Sequence, residues 1–188
     1  MTDLSASLGP LERVDSRWVV GDCRPGGTWV EFRADGLYQH ARNSEGELIP
    51  WSRVMLATRV TLGAKYPRDS YGGWALLDGL PGPWRGRGRG YLHLTLRHPY
   101  EDRLAAFDRH PRRYRSVEFL LLEELLTQAA DAGEAHRLGD PDWLGRAVER
   151  LARQRPKTIR GIHQAVTEAR QGVPAADAGT GAAAGECG

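Results

Sequence analysis

The chain has 188 residues, 40% of them apolar and 27% charged, which suits one packed core with a helical extension. No unbroken apolar run exceeds four residues, as at 119–122, so no segment is expected to span a membrane. Residues 1–16 lack the apolar centre of a secretory signal, and the expected location is the cytoplasm. The formal net charge is only +2, but all basic residues except Lys65 and Lys157 are arginine, the side chain suited to forked contacts with carboxylate or phosphate. The charge is also segregated. Residues 85–115 hold nine arginines against Glu101, Asp102 and Asp108, whereas residues 116–150 hold eight acids against three arginines.

In chain order, residues 1–14 read as a flexible arm. Residues 15–22 form a short strand with Trp18 and Val20 on one face, and 23–27 (CRPGG) a turn. Residues 28–34 (TWVEFRA) alternate, Trp29 and Glu31 pointing one way and Val30 and Phe32 the other. The Asp35-Gly36 pair marks a hairpin, because such turns demand positive φ, and residues 37–41 return from it. Residues 48–62 read as a strand pair or one long bent strand, entered through Ile49-Pro50. A loop at 63–73, a short strand at 74–77 and a Gly/Pro-rich stretch at 78–90 precede the clearest strand, 91–97 (YLHLTLR), with Leu92, Leu94 and Leu96 on one face.

The second half reads as helical. A short helix is expected over 100–108, with Leu104 and Phe107 inward. Pro111 suits the first turn of a longer helix that runs to about Ala132 and stops at Gly133. Its stripe is Tyr114, Val117, Leu121, Leu122, Leu125, Leu126 and Ala129. Phe119 and Leu120 lie off that stripe, so two faces should be buried. Asp140-Pro141 starts a helix with Leu144, Ala147, Val148 and Leu151 inward, and Thr158 caps another with Ile159, Ile162, Val166 and Ala169 inward. Residues 172–188, mostly Gly, Ala and Pro, read as a disordered tail.

About six to seven antiparallel strands followed by an amphipathic helix resemble a pleckstrin-homology-like domain, and the Gly36-Leu37 pair with Ile49-Pro50-Trp51-Ser52-Arg53-Val54 resembles bacterial members in particular. The resemblance covers roughly residues 15–132. It implies an α+β fold in which an antiparallel β-barrel is plugged by its C-terminal helix, here followed by two further helices over 133–171. Lipid-binding members carry a basic cluster on the first hairpin. Here that turn has Arg24 alone, which speaks against phosphoinositide binding.

The sequence offers few catalytic signals. Cys23 and Cys187 have no metal-ligand spacing, and no phosphate-binding, dinucleotide, zinc or nucleophile-elbow motif occurs. Neither cofactor nor metal is expected, and the expected function is a non-catalytic interaction module whose barrel surface binds a protein or peptide, of acidic character. The alternative is a nucleic-acid or anion binder built on Trp84, Arg85, Arg87 and Arg89 of the Arg/Gly run, with the arginines gripping phosphates and the tryptophan stacking. Arg109, Arg112 and Arg113 sit at a helix N-terminus, where the dipole disfavours cations, so they should meet acids elsewhere: Glu123, Glu124 or a partner. A third reading is a small enzyme using His98 and His110, each beside a proline and near Asp102 and Asp108.

Overall fold

A computed structural model describes residues 7–42, 44–62 and 88–172. They form an α+β arrangement of nine strands in two antiparallel sheets, followed by three α-helices. The first sheet is a meander of β1 (Ser7–Leu8), β2 (Leu11–Val14), β3 (Arg17–Val20), β4 (Trp29–Phe32), β5 (Gly36–Ala41) and β6 (Ser44–Pro50). The second holds β7 (Val54–Leu62), β8 (Arg89–Leu96) and β9 (Glu101–Asp108), also in sequence order. A turn of 3-10 helix, Trp51–Arg53, carries the chain from one sheet to the other. The helices are α1 (Ser116–Asp131), α2 (Pro141–Ala152) and α3 (Ile159–Gln171), with a 3-10 segment, Ala135–Gly139, between the first two.

Two expectations about elements are corrected. The arm expected over 1–14 is ordered from Ser7 onward: Leu8 and Leu11 are fully buried, and β1 and β2 extend the first sheet. Residues 100–108 are not a helix. Leu104 and Phe107 stand at helical spacing, but Ala105 and Phe107 are the buried pair, in strand alternation, and eight residues of β9 pair with β8. The ladder supplied by β8 overrides the local helical preference of Leu-Ala-Ala.

Smaller differences have local causes. Helix α1 begins at Ser116, because His110 and Tyr114 hold the preceding segment in a non-helical path. Ile159 is exposed, although Ile162, Val166 and Ala169 are buried as expected. The hairpin between β4 and β5 turns at Ala34-Asp35, one residue before the expected Asp35-Gly36 pair, and Gly36 has ordinary φ. It is required because a Cβ there would strike the backbone of Ile49 and Pro50. Gly133 does have positive φ, and bonds from Glu134 N–H to Ala129 O and from Gly133 N–H to Ala130 O close α1 in a Schellman motif.

One core joins all these elements. Leu92, Leu94 and Leu96 pack in the same cluster as Leu121, Leu122 and Leu125, and α2 and α3 contribute Trp143, Leu144, Val148, Leu151, Ile162 and Val166. The Trp18 indole donates to Pro141 O at 3.1 Å, tying β3 to α2. The sheets meet at one corner, where Asp108 N–H donates to Thr28 O (2.6 Å) and Asp22 N–H to Asp108 O (2.8 Å). Among the described residues no continuous ladder closes the two sheets into a barrel. The expected loop at 63–73, the strand at 74–77, most of the Gly/Pro-rich stretch and the tail from 173 onward lie outside the described residues.

Candidate binding cleft

The turn at Trp51–Arg53 places a tryptophan at the junction of the sheets. Its indole donates to Arg33 O at 2.8 Å, and its ring meets Phe32 edge-on. Gly139 makes this possible, since a Cβ there would overlap the Arg33 carbonyl and crowd the indole nitrogen. The β8–β9 turn is fastened to the same point: Arg97 N–H donates to Arg53 O (2.9 Å), the Arg97 Nε to Ser52 O (3.0 Å), and Arg53 pairs with Glu101 at 2.8 Å. Opposite stand the C-terminal end of α1 and the 3-10 segment that follows it.

Between these walls lies a cleft of about 560 Å³. Trp51, Val54, Met55, Ala130 and Ala135 give it an apolar floor, while Ser52, Arg97, Asp131 and His136 bring polar groups to its edge. An apolar hollow with a few convergent polar groups, both cationic and anionic, can accept one apolar side chain and fix its charged neighbour. Sequence reasoning missed it, because its residues come from three separate stretches and share no spacing.

The residues singled out from the sequence do not converge. Trp84, Arg85 and Arg87 lie outside the described residues, and Arg89 is exposed at the start of β8. Arg109 is almost buried, its N–H donating to Gly88 O at 2.8 Å and its guanidinium lying over that glycine. Arg113 is exposed. Arg112 does meet an acid, but not one in α1: it pairs with Glu12 at 2.8 Å and donates to Gly9 O at 3.1 Å, pinning the β1–β2 hairpin. Glu123 instead accepts from Val60 N–H at 2.6 Å, and Glu124 contacts Gln128 and His163.

His98 and His110 stand beyond opposite ends of β9, roughly 25 Å apart at the usual strand rise. The buried His110 lies between two partners, its Nε2 2.9 Å from Glu12 and its Nδ1 2.6 Å from the Tyr114 hydroxyl. That hydroxyl also accepts from His110 N–H at 2.9 Å, and burial pushes the phenol up to about 12. With the hydroxyl so engaged, the trio serves to fasten β2 to the segment before α1.

A second feature unforeseen from the sequence is a buried acid on the outer face of the first sheet. Glu31 contacts His40 at 2.8 Å, Arg33 at 3.2 Å and Arg17 at 4.0 Å. Burial alone would raise its pKa, but the bonds from His40 and Arg33 outweigh that and hold it below the usual range. Trp29 stacks on His40 with ring centres 3.5 Å apart, and Arg33 lies over Tyr38. These groups fill one another's space and leave the cluster with a structural role.

No group of three or more His, Cys, Asp or Glu among the described residues is placed to hold a metal ion, and no described helix is long and apolar enough to cross a membrane. Compared with family models, curated proteins and solved structures, the chain matches none.

Proposed function

We propose that the protein is a non-catalytic interaction module: a cytoplasmic pleckstrin-homology-like barrel of bacterial type with a helical extension, binding a protein or peptide partner in the cleft beside Trp51. Consecutive antiparallel strands in two sheets, followed by an amphipathic helix laid along β7, support the fold reading. The observation that carries the functional reading is the cleft itself, with its apolar floor and charged edge. Arg97 at that edge favours a segment in which one acidic residue adjoins an apolar one, and Asp131 on the same lining disfavours a second acid.

The test is a selection of displayed peptides against the full chain, counter-screened with Ser52→Trp. Ser52 is exposed, and to the described residues its side chain makes no hydrogen bond, so the indole fills the cleft without disturbing the turn. The reading expects enriched apolar-acidic peptides that bind the parent protein and lose at least about tenfold in affinity with Ser52→Trp. Peptides that bind both proteins equally, or no enrichment, would overturn it.

A further inference from the structure

At the corner where the sheets meet, arginines gather around one carboxylate without being consumed by it. Asp108 ends β9, and its Oδ2 accepts from Thr28 N–H at 3.2 Å. The same oxygen lies 3.6 Å from Arg24 Nη2 and 3.9 Å from Arg42 Nη2. Arg24 also faces Asp22 at 3.6 Å, and Arg42 is oriented by its Nε, which donates to Gly26 O at 2.9 Å. Arg89 is the register partner of Asp108 across the β8–β9 ladder, which puts it on the same face, and it is exposed.

The spacing separates these arginines from others in the protein. Arg53, Arg112 and Arg170 each meet a carboxylate at 2.8 Å, within hydrogen-bond range. At the corner the separations exceed that range, and none of Arg24, Arg42 and Arg89 donates an Nη hydrogen bond to a described residue. Their charge is attracted to Asp108 and Asp22, yet their Nη donors are not spent on any described residue. Two guanidiniums sharing one oxygen also repel each other, and packing does not repay that cost because both are substantially exposed.

We propose that this corner is an anion site for a phosphate-bearing ligand, gripped by Arg24, Arg42 and Arg89, with Asp108 holding the first two in place. Arg109 over Gly88 borders the site. Asp22 and Asp108 oppose weakly charged anions, so the ligand must concentrate negative charge, as a phosphomonoester or an oligophosphate does and a single carboxylate does not. The phosphates could belong to a soluble oligophosphate or to a lipid headgroup, and the two sources are separable.

The experiment titrates the full chain with inorganic tripolyphosphate and, separately, with phosphatidylcholine vesicles containing phosphatidic acid, at low and high salt. The expected result is salt-sensitive binding to at least one probe, weakened about tenfold or more by Arg24→Gln, Arg42→Gln or Arg89→Gln. Arg160→Gln on α3, an equal change of charge elsewhere, leaves it unaltered. Tripolyphosphate binding identifies a soluble source, and vesicle binding alone a headgroup. Arg89→Gln decides the matter if the other two variants melt early, since Arg89 bears no ion pair among the described residues. Binding to neither probe, or equal binding by Arg89→Gln and Arg160→Gln, would overturn the proposal.

Discussion

The carboxylate of Glu123, on α1, accepts a hydrogen bond from the backbone N–H of Val60, on β7, at 2.6 Å. A helix side chain thereby takes an outward-facing donor of an edge strand, which covers the edge against pairing with another chain. Partial burial of the acid pushes its pKa from 4.5 to about 7, against the weaker opposing effects of the Val60 bond and Arg59.

The first prediction concerns pH. The folded protein holds a proton on Glu123 that the unfolded chain has released above 4.5. The resulting stabilisation is fully present below about 4.5 and is lost as pH rises through about 7, amounting to about 3 kcal/mol. Glu123→Gln, which still accepts from Val60, removes this dependence. Urea midpoints at about pH 5 and about pH 8 should show the variant gaining on the parent at the higher pH. Parallel pH profiles would contradict the assignment.

A second prediction concerns Glu31. Replacing it by Gln leaves Arg33, Arg17 and His40 facing a neutral amide on a half-buried surface. The expected loss is about 1–3 kcal/mol near neutral pH. Because the folded pKa of Glu31 is depressed, its contribution is present above 4.5 and fades as pH falls through the lowered value. The difference between parent and Glu31→Gln should therefore shrink in acid, as read from denaturation midpoints. A difference that persists undiminished in acid would exclude the ion pairs as its source.

The third prediction is steric. Gly21 has φ +97°, and a Cβ there would lie 2.8 Å from both Asp108 O and the Phe107 Cβ. Gly21→Ala should cost more than the roughly 1 kcal/mol of an ordinary glycine replacement, because it strains the backbone and pushes the two sheets apart at their corner. Gly26→Ala is the comparison: its φ is also positive, but open space surrounds it. Equal melting temperatures for the two variants would show that the corner yields freely.

Leu94→Ala is the fourth. Leu94 is buried at the centre of the β8 face, and truncation should cost about 2–5 kcal/mol by denaturant unfolding. A cost near zero would mean that the core closes over the gap.

Strand β8 could be read because its leucines repeat at every second position, and α2 because a cap, a first-turn proline and the helical stripe agree. Strand β9 could not, since Leu104, Ala105, Ala106 and Phe107 fit either period and only the neighbouring ladder decides. Strands β1 and β2 carry too few residues for alternation to register. The candidate sites were harder still. Arg112 finds Glu12 across 100 positions of sequence, Arg24 and Arg42 find Asp108 from separate loops, and the Trp51 cleft is assembled from stretches as distant as Ser52 and His136. Folding creates those encounters, and local pattern does not encode them.

Backbone amide shifts should be followed while a selected apolar-acidic peptide is titrated into the full chain. The cleft reading predicts the largest changes at Trp51, Met55, Arg97, Ala130 and His136, with the Arg24–Arg42 corner and α2 unmoved. Changes centred on that corner or on α2, with the cleft silent, would contradict it.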